Sequence, residues 1–234
     1  AIKNKPFMKL CGATFLVFNG YQTVASFSFF IFVFYIFNGS YEATATWPAW
    51  FSSIGAFISA FLVIPIVSKM AEKWGKKNAF IISTVLSIFG YLMKWWAFTP
   101  DNVWLSFIPI PLMSFGLGSL FTLMMSMTAD VCDLDELKNG MPRKEGTFGA
   151  LYWWVVKLGQ GLALVLGGLV LKMIGFDGNA ATQTVDTLTK LRIADIVIPV
   201  VTAGLAVWVM WKYSLSEERA KEIKALLEER RGEL

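Results

Sequence analysis

The sequence predicts an all-α membrane protein of six transmembrane helices, and two observations carry that prediction. The first is composition. Of 234 residues, 56% are hydrophobic and only 16% charged, with a mean hydropathy of +0.56. A soluble domain of this length keeps its surface wet with about 25% charged residues. The second is spacing. The charges come in clusters, separated by apolar stretches too long for a soluble core. A helix rises about 1.5 Å per residue, so roughly 20 apolar residues cross a hydrocarbon core about 30 Å thick.

Six stretches meet that length: Phe7–Phe37, Trp47–Val67, Ala79–Phe98, Val103–Thr128, Thr147–Ile174 and Ile193–Trp211. In the first, Asn19, Gln22 and Ser26 recur at helical spacing, with Thr23 adjacent. Facing lipid, such groups would be left without partners at a cost, so they face protein or water. They read equally as a cavity wall or as interhelical hydrogen bonds. The second stretch ends in a basic turn, Ser68 to Lys77, containing Glu72, Lys73, Gly75, Lys76 and Lys77. At the end of the third, Lys94-Trp95-Trp96 reads as a lysine snorkelling within an aromatic belt. The fourth carries Gly116 and Gly118, suited to close helix approach, and the aromatic Phe121 beside Thr122.

The fifth stretch holds the most informative residue. Lys157 lies about eleven residues into it, roughly 16 Å from the nearer end. A lysine stem is too short to carry its ammonium to water from there, and a charge at that depth costs a few kcal/mol or more. Its neighbours at three and four positions are Trp153, Trp154, Gln160 and Gly161. An ammonium, an amide and indole faces on one stripe suit a hydrated cavity; a static ion pair with another helix is the bland alternative. In the sixth stretch Asp195 reads as an interfacial charge. Residues 1–212 then form the bundle and 213–234 a tail, with Ile223 and Leu227 spaced for a short amphipathic helix.

The connecting segments set an orientation. Sixteen Lys or Arg residues fall on the side that carries the two ends, the Gly75 turn and the segment with Lys138, Arg143 and Lys144; four fall on the other. By the positive-inside rule both chain ends are expected in the cytoplasm. The opening Ala1-Ile2-Lys3-Asn4-Lys5-Pro6 reads as a linker into a membrane span, so a preceding segment or a separate polypeptide is expected. A net charge of +4 without a basic stripe gives no reason to expect nucleic acid. The absence of histidine excludes a His-ligated metal and a His base. Cys11 and Cys132 read as free thiols. No nucleophile–base set falls within reach of one site, so neither an enzyme, a metal nor a cofactor is expected.

Two segments carry a family resemblance. Glu72, Lys73, Gly75, Lys76 and Lys77 are similar to the short signature between adjacent helices in each half of major facilitator transporters. Ala129-Asp130-Val131-Cys132-Asp133-Leu134-Asp135-Glu136, then Arg143-Lys144-Glu145-Gly146 and onward through Phe148 and Tyr152 to Lys157-Leu158-Gly159, resembles the loop-plus-helix signature of the glycoside–pentoside–hexuronide cation symporters, the family of melibiose permease and the glucuronide permeases. Asn4-Lys5-Pro6-Phe7 resembles that family's approach to its seventh helix. Trp153 departs from the pattern: one turn before the lysine, melibiose permease has a small hydroxylated residue.

The resemblance implies the C-terminal half, helices seven to twelve of a twelve-helix transporter in a bacterial inner membrane. It implies cation-coupled symport, with Na+ or H+, of a sugar or glycoside. The coupling ion would be bound mainly by an N-terminal six-helix half. Lys157 would reach across to that half's carboxylates, and Phe121 would lie near an aromatic sugar platform. Asp130, Asp133, Arg143 and Glu145, with Glu72, Lys73 and Lys77, would form a cytoplasmic gate, Asp130 or Asp133 and Arg143 pairing with the other half in the outward-open state. A lysolipid or amphiphile carrier of the same fold is the alternative. A non-transporting subunit docking a partner through the acidic Asp130–Glu145 loop is a third reading.

Overall fold

The computed structural model describes residues 3–140 and 143–232, so the first two residues of the opening linker and the last two of the tail lie outside the described residues. Among the described residues six helical spans are long and apolar enough to cross a membrane, and no strand occurs. The chain is an integral membrane protein. α1 (Lys5–Phe30) starts where the Asn4 side chain accepts the Phe7 amide at 3.2 Å, with Pro6 in the first turn, where a missing N–H is harmless. It continues through a π-helical turn, Ile31–Ile36. The second span joins α2 (Tyr41–Thr44), α3 (Trp47–Ile58), a π-helical turn (Ser59–Val63) and α4 (Ile64–Trp74). Gly75 alone separates it from α5 (Lys76–Ala97), and its φ of 79° is a conformation that favours glycine. After a 3-10 turn, Val103–Phe107, come α6 (Ile110–Asn139), α7 (Glu145–Met173) and α8 (Val185–Trp211). α9 (Glu217–Gly232) closes the chain.

α1 is the spine of the bundle, packed along α8, α7 and α6, while α5 lies against α6 and α8. Two glycines permit that closeness. A Cβ at Gly20 would lie 1.9 Å from the Thr202 hydroxyl on α8, and one at Gly90 would lie 2.6 Å from the Met113 amide nitrogen on α6. One core cluster gathers Phe7, Leu10, Met124, Phe148, Tyr152 and Met210; another, at the opposite end, gathers Phe27, Ile31, Phe32, Phe98 and Leu191. The second span is different. Only 11% of its most apolar window is buried within the chain, against 50% for the first and fourth spans. Its apolar surface is satisfied only by lipid or by another protein.

The start of α1, the Gly75 turn and the end of α8 meet at one end of the bundle. There Lys9 donates to the Lys212 carbonyl, and Lys77 donates to the carbonyls of Trp211 at 2.9 Å and Tyr213 at 3.2 Å. α9 lies at the same end against α6, with Ile223 and Leu227 buried.

The second span runs from Tyr41 to Trp74, beyond the expected Trp47–Val67, so that Ser68–Trp74 are helix rather than turn; two other boundaries also differ from the sequence expectation. Asp130, Asp133, Asp135 and Glu136 are not in a loop: α6 continues to Asn139 before Gly140 turns it with φ 76°. The acidic stretch up to Asn139 is therefore the last turns of a helix, and only 140–144, of which 141–142 lie outside the described residues, connects it to α7. The last helix begins at Val185 rather than Ile193, because Thr184 caps it by accepting the Thr187 amide at 3.1 Å. Hydropathy marks where lipid begins and is blind to polar turns that extend beyond it.

Candidate functional site

α7 decides the geometry of the candidate site. It turns Tyr152, Val156, Gly159, Ala163 and Gly167 into the bundle, and Asn19 on α1 donates to the Gly159 carbonyl at 2.9 Å. At 3.6 residues per turn, the remaining surface divides into two flanks. Leu158, Leu162, Val165 and Leu169 occupy one, all apolar and exposed. Trp153, Lys157 and Gln160 occupy the other, together with the exposed Leu164. Lys157 itself is exposed, and among the described residues its ammonium meets no partner. It stands twelve residues beyond Glu145, about 18 Å along the helix. Trp153 is 45% exposed and stands edge-on to Tyr152; Trp154, 61% exposed, borders the apolar flank.

The polar stripe of α1 separates into two roles. Asn19 is buried and holds α7, and Thr23 donates to the Asn19 carbonyl at 2.8 Å. Gln22 is half-buried and Ser26 exposed, neither with a protein partner among the described residues. Phe121 on α6 is 41% exposed and packs edge-to-face on Phe18 of α1 at 5.9 Å. The structure thus leaves Gln22, Ser26, Phe121, Trp153, Lys157 and Gln160 open to whatever adjoins this half, and gives Asn19 to the bundle.

At the basic end, the acidic face of α6 is neutralised by cations of the same chain. Lys76 bridges both Asp130 oxygens at 2.8 and 2.7 Å. Arg143 pairs with Asp133, meets Glu145 at 3.0 Å and lies 3.7 Å from Glu136; Lys144 lies 3.4 Å from Asp135. Partial burial works against the Arg143 charge, but the facing carboxylates of Asp133 and Glu145 outweigh it and hold its pKa above the ordinary value. Lys73 stacks over Trp74 and Lys77 caps the end of α8, while Glu72 has no partner among the described residues. In this structure Asp130, Asp133 and Arg143 pair within the chain. Lys76, overlooked as a site residue, stood in the same signature.

The largest departure lies at the opposite end. Lys94 does not snorkel and Asp195 is not interfacial. The two form an ion pair in which each side chain is 1% exposed. Ser28 completes it, accepting from the Lys94 ammonium at 3.0 Å and donating to Asp195 at 3.2 Å. The aromatic belt belongs instead to Arg192, which stacks on Tyr35 and Trp95 and donates to the Tyr35 hydroxyl at 2.9 Å. Sequence offered one signal: a carboxylate inside an apolar span needs a cation, and Lys94 was available.

A family model described as MFS/sugar transport protein matches residues 1–217. The chain is 28% identical over 98% of its length to the glucuronide carrier protein homolog of Escherichia coli, of which it covers 48%. It is 27% identical over 74% of its length to the isoprimeverose transporter of Lactiplantibacillus pentosus, covering 36% of that protein. It is 28% identical over 73% of its length to the sodium-dependent lysophosphatidylcholine symporter 1 of Xenopus tropicalis, covering 32%. The chain therefore spans half or less of the length of each of these relatives.

Proposed function

This chain belongs to the MFS/sugar transport protein family, a family of transporters rather than enzymes, and we propose on that premise that it supplies the C-terminal six-helix half of a cation-coupled symporter for a sugar or glycoside. The observation that carries the reading is Lys157: a cation about 18 Å along a membrane helix, on the flank it shares with Trp153 and Gln160, with no partner among the described residues. Such a charge is tolerable only if the surface it faces is wet or acidic. A second six-helix half would provide both, and the coverage of half or less of each relative leaves room for one. Alternating access then rocks the two halves about a site bounded here by Lys157, Trp153, Gln160, Gln22, Ser26 and Phe121.

The coupling ion, Na+ or H+, would sit mainly on carboxylates of the other half, with Lys157 neutralising them when the ion leaves. Asp130, Asp133, Arg143 and Glu145 would exchange their present partners for partners on the other half as the cytoplasmic side closes. The clustering of basic residues at the end that carries both chain ends supports a cytoplasmic position for that end, in a bacterial inner membrane.

The test is reconstitution of the full-length transporter in vesicles, with a Na+ gradient and a pH gradient imposed separately. The proposal expects labelled glucuronide or isoprimeverose to accumulate with one gradient and to stop when it collapses. A second reading follows from the lysophosphatidylcholine symporters among the relatives. Gradient-driven uptake of a lysolipid, with no saturable uptake of any sugar, would replace the first reading by the second.

A further inference from the structure

Between α1, α3, the π-helical turn after α3, α5 and α6 lies a cavity of about 380 Å³, the size of a small-molecule site. Phe121 is part of its wall, and a second space of about 210 Å³ adjoins it; Tyr21, Phe51, Ser52, Tyr91 and Met113 line both, and Lys94 lines the second. Several hydroxyls of the bundle turn back on their own helices: Thr84 on the Phe80 carbonyl, Thr128 on Met124, Ser119 on Gly116, the usual refuge of a hydroxyl in a helix. The hydroxyls of Ser83 and Tyr213, away from this cavity, are buried without a partner among the described residues. Those of Tyr21, Tyr91, Ser52, Ser59 and Ser114, which line this cavity, make no hydrogen bond to any described residue. Tyr91 is the most telling, because it is only 6% exposed and still unpartnered. It lines the cavity, where an occupant with a donor or acceptor would satisfy its hydroxyl.

The chemistry of the walls selects the occupant. Phe51, Phe121, Ile110, Met113 and Leu117 are apolar, and among the described residues no amide or carboxylate side chain lines either space. Lys94 brings no net charge, since Asp195 neutralises it from behind. A pyranose ring, dense in hydroxyls, needs carboxylates, amides or free cations. A planar uncharged ring with one or two oxygens needs aromatic faces and isolated hydroxyls, and both are here. We propose that this cavity is an aglycone subsite that takes the uncharged aromatic group of a glycoside whose sugar lies beside Lys157 and Phe121. The inference rests on the sugar–symporter reading and adds a second, separate pocket to it.

The test compares binding of 4-nitrophenyl and methyl β-glucuronide to the purified full-length transporter by calorimetry, with the matching galactosides and xylosides as further pairs. In the parent, the aryl glycoside of the recognised sugar should bind at least about tenfold tighter than its methyl counterpart. Ser114→Leu, which fills the cavity, should reduce that ratio at least about fivefold, and Tyr91→Phe about threefold. Ser114→Ala, which removes one hydroxyl but leaves the space open, should reduce it no more than Tyr91→Phe does. An unchanged ratio in Ser114→Leu, with methyl glycoside still bound, overturns the subsite and leaves the sugar reading standing. A dodecyl glycoside that gains as much as the aryl one, and loses as much in Ser114→Leu, makes the space a chain-binding slot and overturns the aromatic assignment. Equal affinities in the parent mean the cavity holds water only. If no glycoside of any pair binds, the sugar reading falls and this inference falls with it.

Discussion

Lys94 and Lys157 are both lysines in apolar helices, and the fold treats them oppositely. Lys94 is sealed at 1% exposure with Asp195 and Ser28, so that α1, α5 and α8 are tied together at one end. Lys157 lies on a surface this chain leaves open, with no described residue to answer its charge. The difference teaches that depth in a span does not by itself mark a functional charge. What separates a fastener from a working cation is whether the same chain supplies the counter-charge. A half that neutralises its own lysine uses it for structure; one that leaves the lysine unanswered leaves its charge available at the surface.

The comparison can be broken most forcefully at the closed pair. Lys94→Ala strands the buried Asp195 carboxylate and should cost about 3–5 kcal/mol, read as lost yield or an early melting step in detergent. Replacing both partners with apolar residues, Lys94→Met with Asp195→Leu, should restore most of that loss, because an apolar pair of similar volume is often neutral. If Lys94→Ala is as stable as the parent and abolishes transport instead, Lys94 belongs with Lys157 and the distinction collapses.

A smaller effect is expected where a polar group of the sequence stripe turned out to hold helices. Asn19→Ala removes its bond to the Gly159 carbonyl and should cost about 1 kcal/mol, within the range for hydrogen bonds between membrane helices. Ser26→Ala, on the same helix but exposed, should leave thermal stability unchanged. Equal losses in both would mean that α1 has no open polar face. Smaller still is the Lys76–Asp130 pair, whose side chains are 22% and 20% exposed. Lys76→Ala should change stability by no more than about 1 kcal/mol. Arg143→Ala should show its effect in conformational balance, as increased accessibility from the cytoplasmic side of a single cysteine in the cavity. Unchanged accessibility would make the acidic end of α6 a solvated helix terminus and nothing more.

The sequence made the six spans legible because each is a long apolar run, and α1 shows its first turn through Asn4 and Pro6. It misplaced the ends of α6 and α8, where polar helical turns continue beyond the apolar run. Lys157 was legible because it is a charge without excuse in its own stripe. The pairing of Lys94 with Asp195 was not, since the two are 101 residues apart and meet only when α5 and α8 pack. The cavity beside Tyr91 was equally hidden. Serines and tyrosines are ordinary in membrane helices, and only packing reveals which hydroxyls turn back on their helices and which are left facing a space.

The central claim is that Lys157 works in coupling and holds no part of the fold together. It is tested most directly by reconstituting the full-length Lys157→Ala transporter and measuring ion-driven accumulation beside equilibrium exchange. The account predicts parental expression and melting, loss of accumulation above the equilibrium level, and retained exchange. Lys157→Arg should fail in the same way, because a planar fork does not replace a point charge. A Lys157→Ala protein that accumulates substrate like the parent, or one that is destabilised as Lys94→Ala is expected to be, would contradict it.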